Sequence, residues 1–182
     1  MTSNPHKDHQ ASFDLRRADL SAFLKTVVKP KMPGPYYVMG HSLGAHMIFH
    51  NLHDQPGFFE KAICLAPMMG IAQVPFPEWM MRVWENTMCG LGMGHFYPPG
   101  QGNYGPKRRS LERADYLTSD IIRYRDEEAA VDLNPTLAMG GITFGWLRAA
   151  RRSHARLESP GFAEAIQTPT LILCAGADRV VD

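Results

Sequence analysis

Tyr36-Tyr37-Val38-Met39-Gly40-His41-Ser42-Leu43-Gly44-Ala45-His46-Met47-Ile48 is the stretch whose reading decides the fold. Tyr36 to Met39 is a short apolar, β-prone run of the kind that forms a buried parallel strand, and it ends at Gly40. From Leu43 to Leu52 the pattern turns helical, with Met47, Ile48 and Leu52 as its apolar set. Gly40-His41-Ser42-Leu43-Gly44 therefore sits between a strand and a helix, the context in which G-x-S-x-G marks a nucleophile elbow. Such a turn forces the serine into a strained backbone conformation, and glycines two before and two after it relieve the clash between neighbouring segments. It lifts the Ser42 hydroxyl above the sheet and aims the helix N-terminus, with the Leu43 N–H, at the oxyanion that forms when an acyl carbonyl is attacked. The bare pattern also occurs as a chance glycine-rich turn; the flanking strand and helix give it specificity. His41 adjoins the serine, but neighbours in an elbow point different ways, so it reads as a packing residue rather than a general base.

Working outward, Leu20, Phe23, Leu24, Val27 and Val28 form an amphipathic helical stripe with Pro30 as its stop, and Pro33-Gly34-Pro35 makes a turn into the strand. Downstream, Asp54-Gln55-Pro56-Gly57 breaks the helix, and Ala62 to Ala66 is a second apolar strand closed by Pro67. This alternation predicts a parallel α/β arrangement with right-handed connections. Between Met68 and Gln167 the rhythm is lost, and the chain becomes rich in Pro, Gly, Met and Trp, as in Pro75-Phe76-Pro77, with helix-like stretches at Ser119–Glu128 and Phe144–Leu157. A structureless connection of that length is uncommon, so the excursion reads as an inserted, mainly helical cap. The sheet resumes at Thr170–Cys174. The organisation expected is a core over 1–70, a cap over 71–166 and a return to the core over 167–182.

Composition narrows the function. The chain has 182 residues, 45% hydrophobic and 20% charged, which is ordinary for a globular protein. A formal charge of +1 supplies no global field to recruit nucleic acid. Cys64, Cys89 and Cys174 lack metal-ligand spacing, and two of them lie in apolar runs where a thiol acts as a small hydrophobe, so reduced cysteines in a cytoplasmic protein are expected. The N-terminus lacks the apolar core of a signal peptide, and no apolar run reaches the ~20 residues of a membrane span.

A second element is Gly176-Ala177-Asp178-Arg179-Val180-Val181-Asp182, directly after the late strand. A carboxylate on a turn at a strand's C-terminal end is where a triad acid stands, accepting the histidine Nδ1–H to fix its tautomer. Asp178 is the candidate, with Asp182 a weaker one; the plainer reading is a turn aspartate. All eight histidines, His6, His9, His41, His46, His50, His53, His95 and His154, precede Asp178. His46, His50 and His53 can share a helix face, yet no accompanying carboxylate supports a metal site, and a partly exposed face is expected. His95 and His154 read as ordinary surface or cap residues, and no cofactor is implied.

At Gly40–Gly44, at Lys61–Ile71 (KAICLAPMMGI) and at Cys174–Asp182 (CAGADRVVD) the sequence resembles the lysophospholipase and monoacylglycerol-lipase branch of the α/β-hydrolases. Leu117–Asp120 and Phe144–Ala150 look like bacterial lysophospholipases in particular, and the likeness runs from about Phe13 onward. The resemblance implies Ser42 as nucleophile, Asp178 as acid and a fatty-acyl ester of a lysophospholipid or monoacylglycerol as substrate. Such enzymes also carry a His-Gly loop before the elbow and a catalytic histidine after the acid, and neither motif stands in these residues; the chain is therefore read as a fragment that is inactive alone. Ala45 stands where the family often has a further glycine. Met68, Met69, Phe76, Trp79, Met80, Met81, Trp84 and Met88 suit either an acyl pocket or plain cap core. Two arginine-rich runs, Lys107–Arg113 and Arg148–Arg156, are solvated helix faces or sites of peripheral contact with the inner membrane. A proline iminopeptidase, a general carboxylesterase or a non-catalytic hydrolase-like module remain alternatives, whereas the serine disfavours epoxide and haloalkane hydrolases. Oligomeric state is not legible.

Overall fold

The computed structural model describes residues 7–70 and 76–181; the expectations resting on His6, Ile71, Pro75 and Asp182 lie outside the described residues. In chain order the elements are α1 (Phe13–Phe23), a π-helical segment (Leu24–Val28), α2 (Lys29–Lys31), β1 (Tyr37–His41), α3 (Leu43–Asp54), β2 (Lys61–Leu65), α4 (Glu78–Gly90), α5 (Leu111–Leu117), α6 (Ile121–Leu133), α7 (Phe144–Leu157) and β3 (Thr170–Leu173). The strands form a parallel sheet in the order β1-β2-β3, with Tyr37 opposite Lys61 and Ala62 opposite Thr170. This is the expected α/β architecture, a parallel sheet flanked by helices.

The first helix departs from its sequence reading at both ends. It opens at Phe13, because the Ser12 Oγ accepts from the Asp14 N–H and caps it. It also runs past Pro30, since the helix widens into π geometry just upstream, where the Lys29 N–H reaches the Leu24 carbonyl. That register spares the chain the clash and lost bond a proline imposes on an α-helix interior.

Two units divide the chain, one of residues 12–73 with 150–182 and the other of residues 1–11 with 74–149. In the first, Leu24, Ala45, Ile48, Phe49, Leu52, Phe59, Ala62, Cys64, Leu157 and Phe162 make one buried cluster beneath one face of the sheet. The pleat sends Ala62 and Cys64 into that cluster, and burial pushes the Cys64 thiol up to about 11. Tyr37 and Met39 point the other way and are 63% and 68% exposed. Cys174, expected in an apolar interior, is exposed, as are Leu171, Ile172 and Leu173 of β3, the strand at the end of the described sheet. At the end of α3, burial opposes ionisation of Asp54, but bonds from Arg17, His53 and Arg156 outweigh it and hold the carboxyl down to about 2.

In the second unit, Met81, Glu85, Ala114, Tyr124 and Val131 are buried, and the rings of Phe76 and Trp84 meet edge-on at 5.2 Å. Trp79, expected in the apolar cluster, is 68% exposed. Asp8 bridges Ile142 in parallel, and the His9 Nδ1 lies 2.9 Å from the Thr143 Oγ1. Gly145 is required beside them: a Cβ there would lie 2.6 Å from the His9 ring. Arg109 pairs with Asp132 at 2.6 Å and lies over the Tyr104 ring. Among the described residues no helix is long and apolar enough to cross a membrane, and no group of three His, Cys, Asp or Glu could hold a metal ion.

Candidate active site

Ser42 is the residue between β1 and α3, with φ 52° and ψ −118°. A non-glycine residue held there stores strain on the order of 1–3 kcal/mol, so the surrounding structure has to impose it. Three backbone bonds do so: the Ser42 N–H donates to the Leu65 carbonyl at 2.9 Å, and the Ser42 carbonyl accepts from the His46 N–H at 3.0 Å and the Met68 N–H at 3.2 Å. A serine at a helix N-cap ordinarily turns its hydroxyl back onto the first helical N–H groups. Here the side chain makes no capping bond, so the hydroxyl is left for other chemistry.

The glycines on either side differ. A Cβ on Gly40 would lie 2.5 Å from the Ile48 Cδ1 and 2.9 Å from the backbone of Gly44 and Ala45. A Cβ on Gly44 would meet nothing within 4 Å. The sequence expectation of clash relief at both positions thus holds only at Gly40, because there the strand passes directly beneath the first turn of α3. Leu43 is the first residue of α3, so its N–H has no acceptor within the helix and points with the other early N–H groups out of its N-terminus.

Ala66, just beyond β2, is the other described non-glycine residue with positive φ, at 38°, and its N–H donates to the Leu65-neighbouring strand at the Leu173 carbonyl over 2.7 Å. Ser42, Ala66 and Asp178 all follow the C-terminal ends of parallel strands, the side on which open α/β sheets bind ligands. Asp178 makes a tight turn: its Oδ1 accepts from the Val180 N–H at 2.8 Å and the Val181 N–H at 3.1 Å. These two bonds, with a smaller contribution from nearby His41, hold the carboxyl below its ordinary range. Both the turn reading and the charged carboxylate needed of a triad acid are therefore compatible with its surroundings. His41 is exposed rather than packed, because it ends β1 on the uncovered side of the pleat.

Two histidine readings are corrected. His46 and His50 are 0% and 1% exposed, not a partly solvated face, and His154 is half-buried against them. The Ser153 Oγ lies 2.7 Å from the His46 Nε2 and 2.8 Å from the His50 Nε2, while the His46 Nδ1 lies 2.8 Å from the Met68 carbonyl. The i, i+4 spacing signalled a common helix face, but its partner Ser153 stands 107 residues from His46, beyond the reach of any local pattern.

A model of the serine aminopeptidase S33 family of hydrolases matches residues 2–182. Lysophospholipase L2 of Escherichia coli (strain K12) is 31% identical over 189 residues, covering 100% of this chain and 52% of that protein. Probable lysophospholipase L2 of Haemophilus influenzae is 27% identical, covering 98% of this chain and 55% of that protein. The chain thus spans about half the length of these relatives. Among solved structures, Paleococcus ferrophilus monoacylglycerol lipase superposes with a TM-score of 0.62 at 15% identity, over 93% of this chain and 56% of that one. A soluble variant of Saccharomyces cerevisiae monoglyceride lipase does so with a TM-score of 0.59 at 13% identity, over 93% and 52%. At such identities the superpositions speak for the fold.

Proposed function

The chain belongs to the serine aminopeptidase S33 family of α/β-hydrolases, and from that premise we propose that it carries the nucleophile and acid of a serine hydrolase that cleaves fatty-acyl esters of lysophospholipids or monoacylglycerols. The observation that carries the reading is the strained, uncapped Ser42 at the junction of β1 and α3. In the proposed reaction a histidine takes the Ser42 proton, the oxygen adds to the ester carbonyl, and the Leu43 N–H helps bind the oxyanion. Collapse of that intermediate expels the alcohol, and water then releases the acid from the acyl-enzyme. Asp178 is the acid that orients the histidine. The substrate class is carried over from the relatives, lysophospholipase L2 by sequence and the two monoacylglycerol lipases by fold. The same reading places the reaction in the cytoplasm, with contact at a lipid surface.

Among the described residues no side chain hydrogen-bonds the Ser42 hydroxyl, and no histidine follows Asp178 in the sequence. The 182 residues by themselves are accordingly proposed to turn over slowly, since loss of the general base costs such a site on the order of a millionfold. The test is prolonged exposure of the purified chain to a fluorophosphonate, followed by mass mapping, alongside fatty-acid release from lysophosphatidylcholine. The expected result is slow labelling confined to Ser42 with near-blank release. A rapid release abolished by Ser42→Ala would show that one of the eight histidines serves as base. Labelling elsewhere would overturn the hydrolase reading.

A further inference from the structure

The buried polar network behind the Ser42 turn has one consistent placement of hydrogens. A carbonyl only accepts, so the His46 Nδ1, 2.8 Å from the Met68 oxygen, carries a hydrogen and donates it. Burial, with His154 adding to it, lowers the His46 ring to about 4, although the Met68 bond works the other way. The ring is therefore neutral near pH 7, and its Nε2 accepts the Ser153 hydroxyl proton at 2.7 Å. The Ser153 oxygen in turn accepts from the His50 Nε2–H at 2.8 Å. This leaves the His50 Nδ1 a bare lone pair, and that atom is indeed buried without a partner. An unmet acceptor is tolerated better than an unmet N–H, which fixes the direction of the chain. Met68 is also the residue whose N–H binds the Ser42 carbonyl at 3.2 Å.

We propose that His46 is the positioning residue of the Ser42 turn: through Nδ1–H it fixes the Met68 carbonyl, which keeps the Met68 N–H on the Ser42 carbonyl. The network rests on the nucleophile reading of Ser42 only for its consequence in catalysis; the coupling itself is independent of any hydrolysis. His46 faces His50 on α3, Ser153 and His154 on α7, the Met68 carbonyl after β2 and the edge of the Phe13 ring on α1. His50 faces Arg17 on α1, Arg156 on α7, Asp54 on α3 and the Phe162 ring, and burial followed by the nearby His46, Arg17 and Arg156 lowers it to about 3 despite Asp54. His154 donates a second, longer bond of 3.2 Å to the Met68 carbonyl, and Glu158 and Arg151 act on it with opposite sign. A proton added to the His46 Nε2 abolishes its acceptor, so Ser153 has to swing its hydroxyl to His50 and His50 has to change tautomer. The Nδ1–H stays on the Met68 carbonyl throughout, so acidification rearranges Ser153 and His50 and leaves the brace of the turn in place.

The experiment is imidazole and amide NMR on the isotope-labelled chain. The expected result is the Nδ1–H tautomer for His46 and the Nε2–H tautomer for His50 near pH 7. Met68 amide exchange, normalised for intrinsic rate, should stay slow as His46 titrates, because the Nδ1–H bond is kept. His46→Asn places an N–H where Nδ1 stood and should preserve Met68 protection; His46→Leu should lose it by about tenfold. The opposite His46 tautomer, or Met68 exchange that follows only global unfolding and is the same in H46N and H46L, would overturn the proposal. If H46L does not fold, the His46 tautomer and the Met68 protection of H46N decide. An intact His46–Met68 coupling without fluorophosphonate labelling of Ser42 would remove the hydrolase reading and leave this one standing.

Discussion

Ser42 and Asp178 both stand beyond the C-terminal ends of parallel strands, yet the two turns are held by different means. The Ser42 turn is imposed from outside: a strand passes under a helix at Gly40, three backbone bonds clamp the serine, and two buried histidines stand behind Met68. The Asp178 turn is held from within, by its own carboxylate accepting two N–H groups, in a segment that is otherwise largely exposed. The nucleophile turn stores strain and needs the packed core to keep it. The acid turn is locally self-sufficient, as aspartate turns generally are. A substitution near Ser42 should therefore be felt through the whole fold, and one at Asp178 mainly where it is made.

The sharpest way to break this contrast is Gly40→Ala. Its Cβ would fall within 2.9 Å of α3 backbone, so we expect a loss of about 3 kcal/mol or more in urea unfolding; a neutral result would mean the crossing is loose. Acidification comes next. The unfolded histidines titrate near 6.5 and the folded His46 and His50 near about 4 and about 3, so the unfolded state binds more protons between these values. Stability is then full above pH 6.5, falls as the pH is lowered and levels off below the folded values, a change on the order of 3 kcal/mol from His46 alone. The slope should flatten in the H46N/H50Q double variant.

Ser42→Gly relieves the positive φ and should raise stability by about 1 kcal/mol while abolishing fluorophosphonate labelling; a destabilised variant would show that the turn is not strained. Gly44→Ala puts a Cβ into open space on a helix and should stabilise by up to about 1 kcal/mol, opposite in sign to its partner glycine. The smallest effect is expected from Asp178→Ala, less than about 1 kcal/mol, confined to faster exchange of the Val180 and Val181 amides.

Local patterns carried much of this architecture. The apolar run before Gly40, the helical set Met47, Ile48 and Leu52, and the second run from Ala62 to Ala66 placed two strands and a helix to within two residues, because each side chain's burial repeats with the period of its own element. The helix-like stretch read at Phe144–Leu157 is α7 with the same bounds. Pro30 misled, since a proline ends a helix only where the hydrogen-bond register is α, and the π segment upstream changes that register.

By itself the sequence determined that Ser42 stands between a strand and a helix and that an aspartate follows the last strand, since those are statements about neighbours along the chain. Only the tertiary structure decided that Gly40 alone is sterically bound to be glycine, and that His46 and His50 are buried on Ser153. The first depends on how closely β1 and α3 approach each other, and the second on segments more than 100 residues apart, as Ser153 is from both histidines. Periodicity reports which face of an element turns inward; what meets that face is settled by packing.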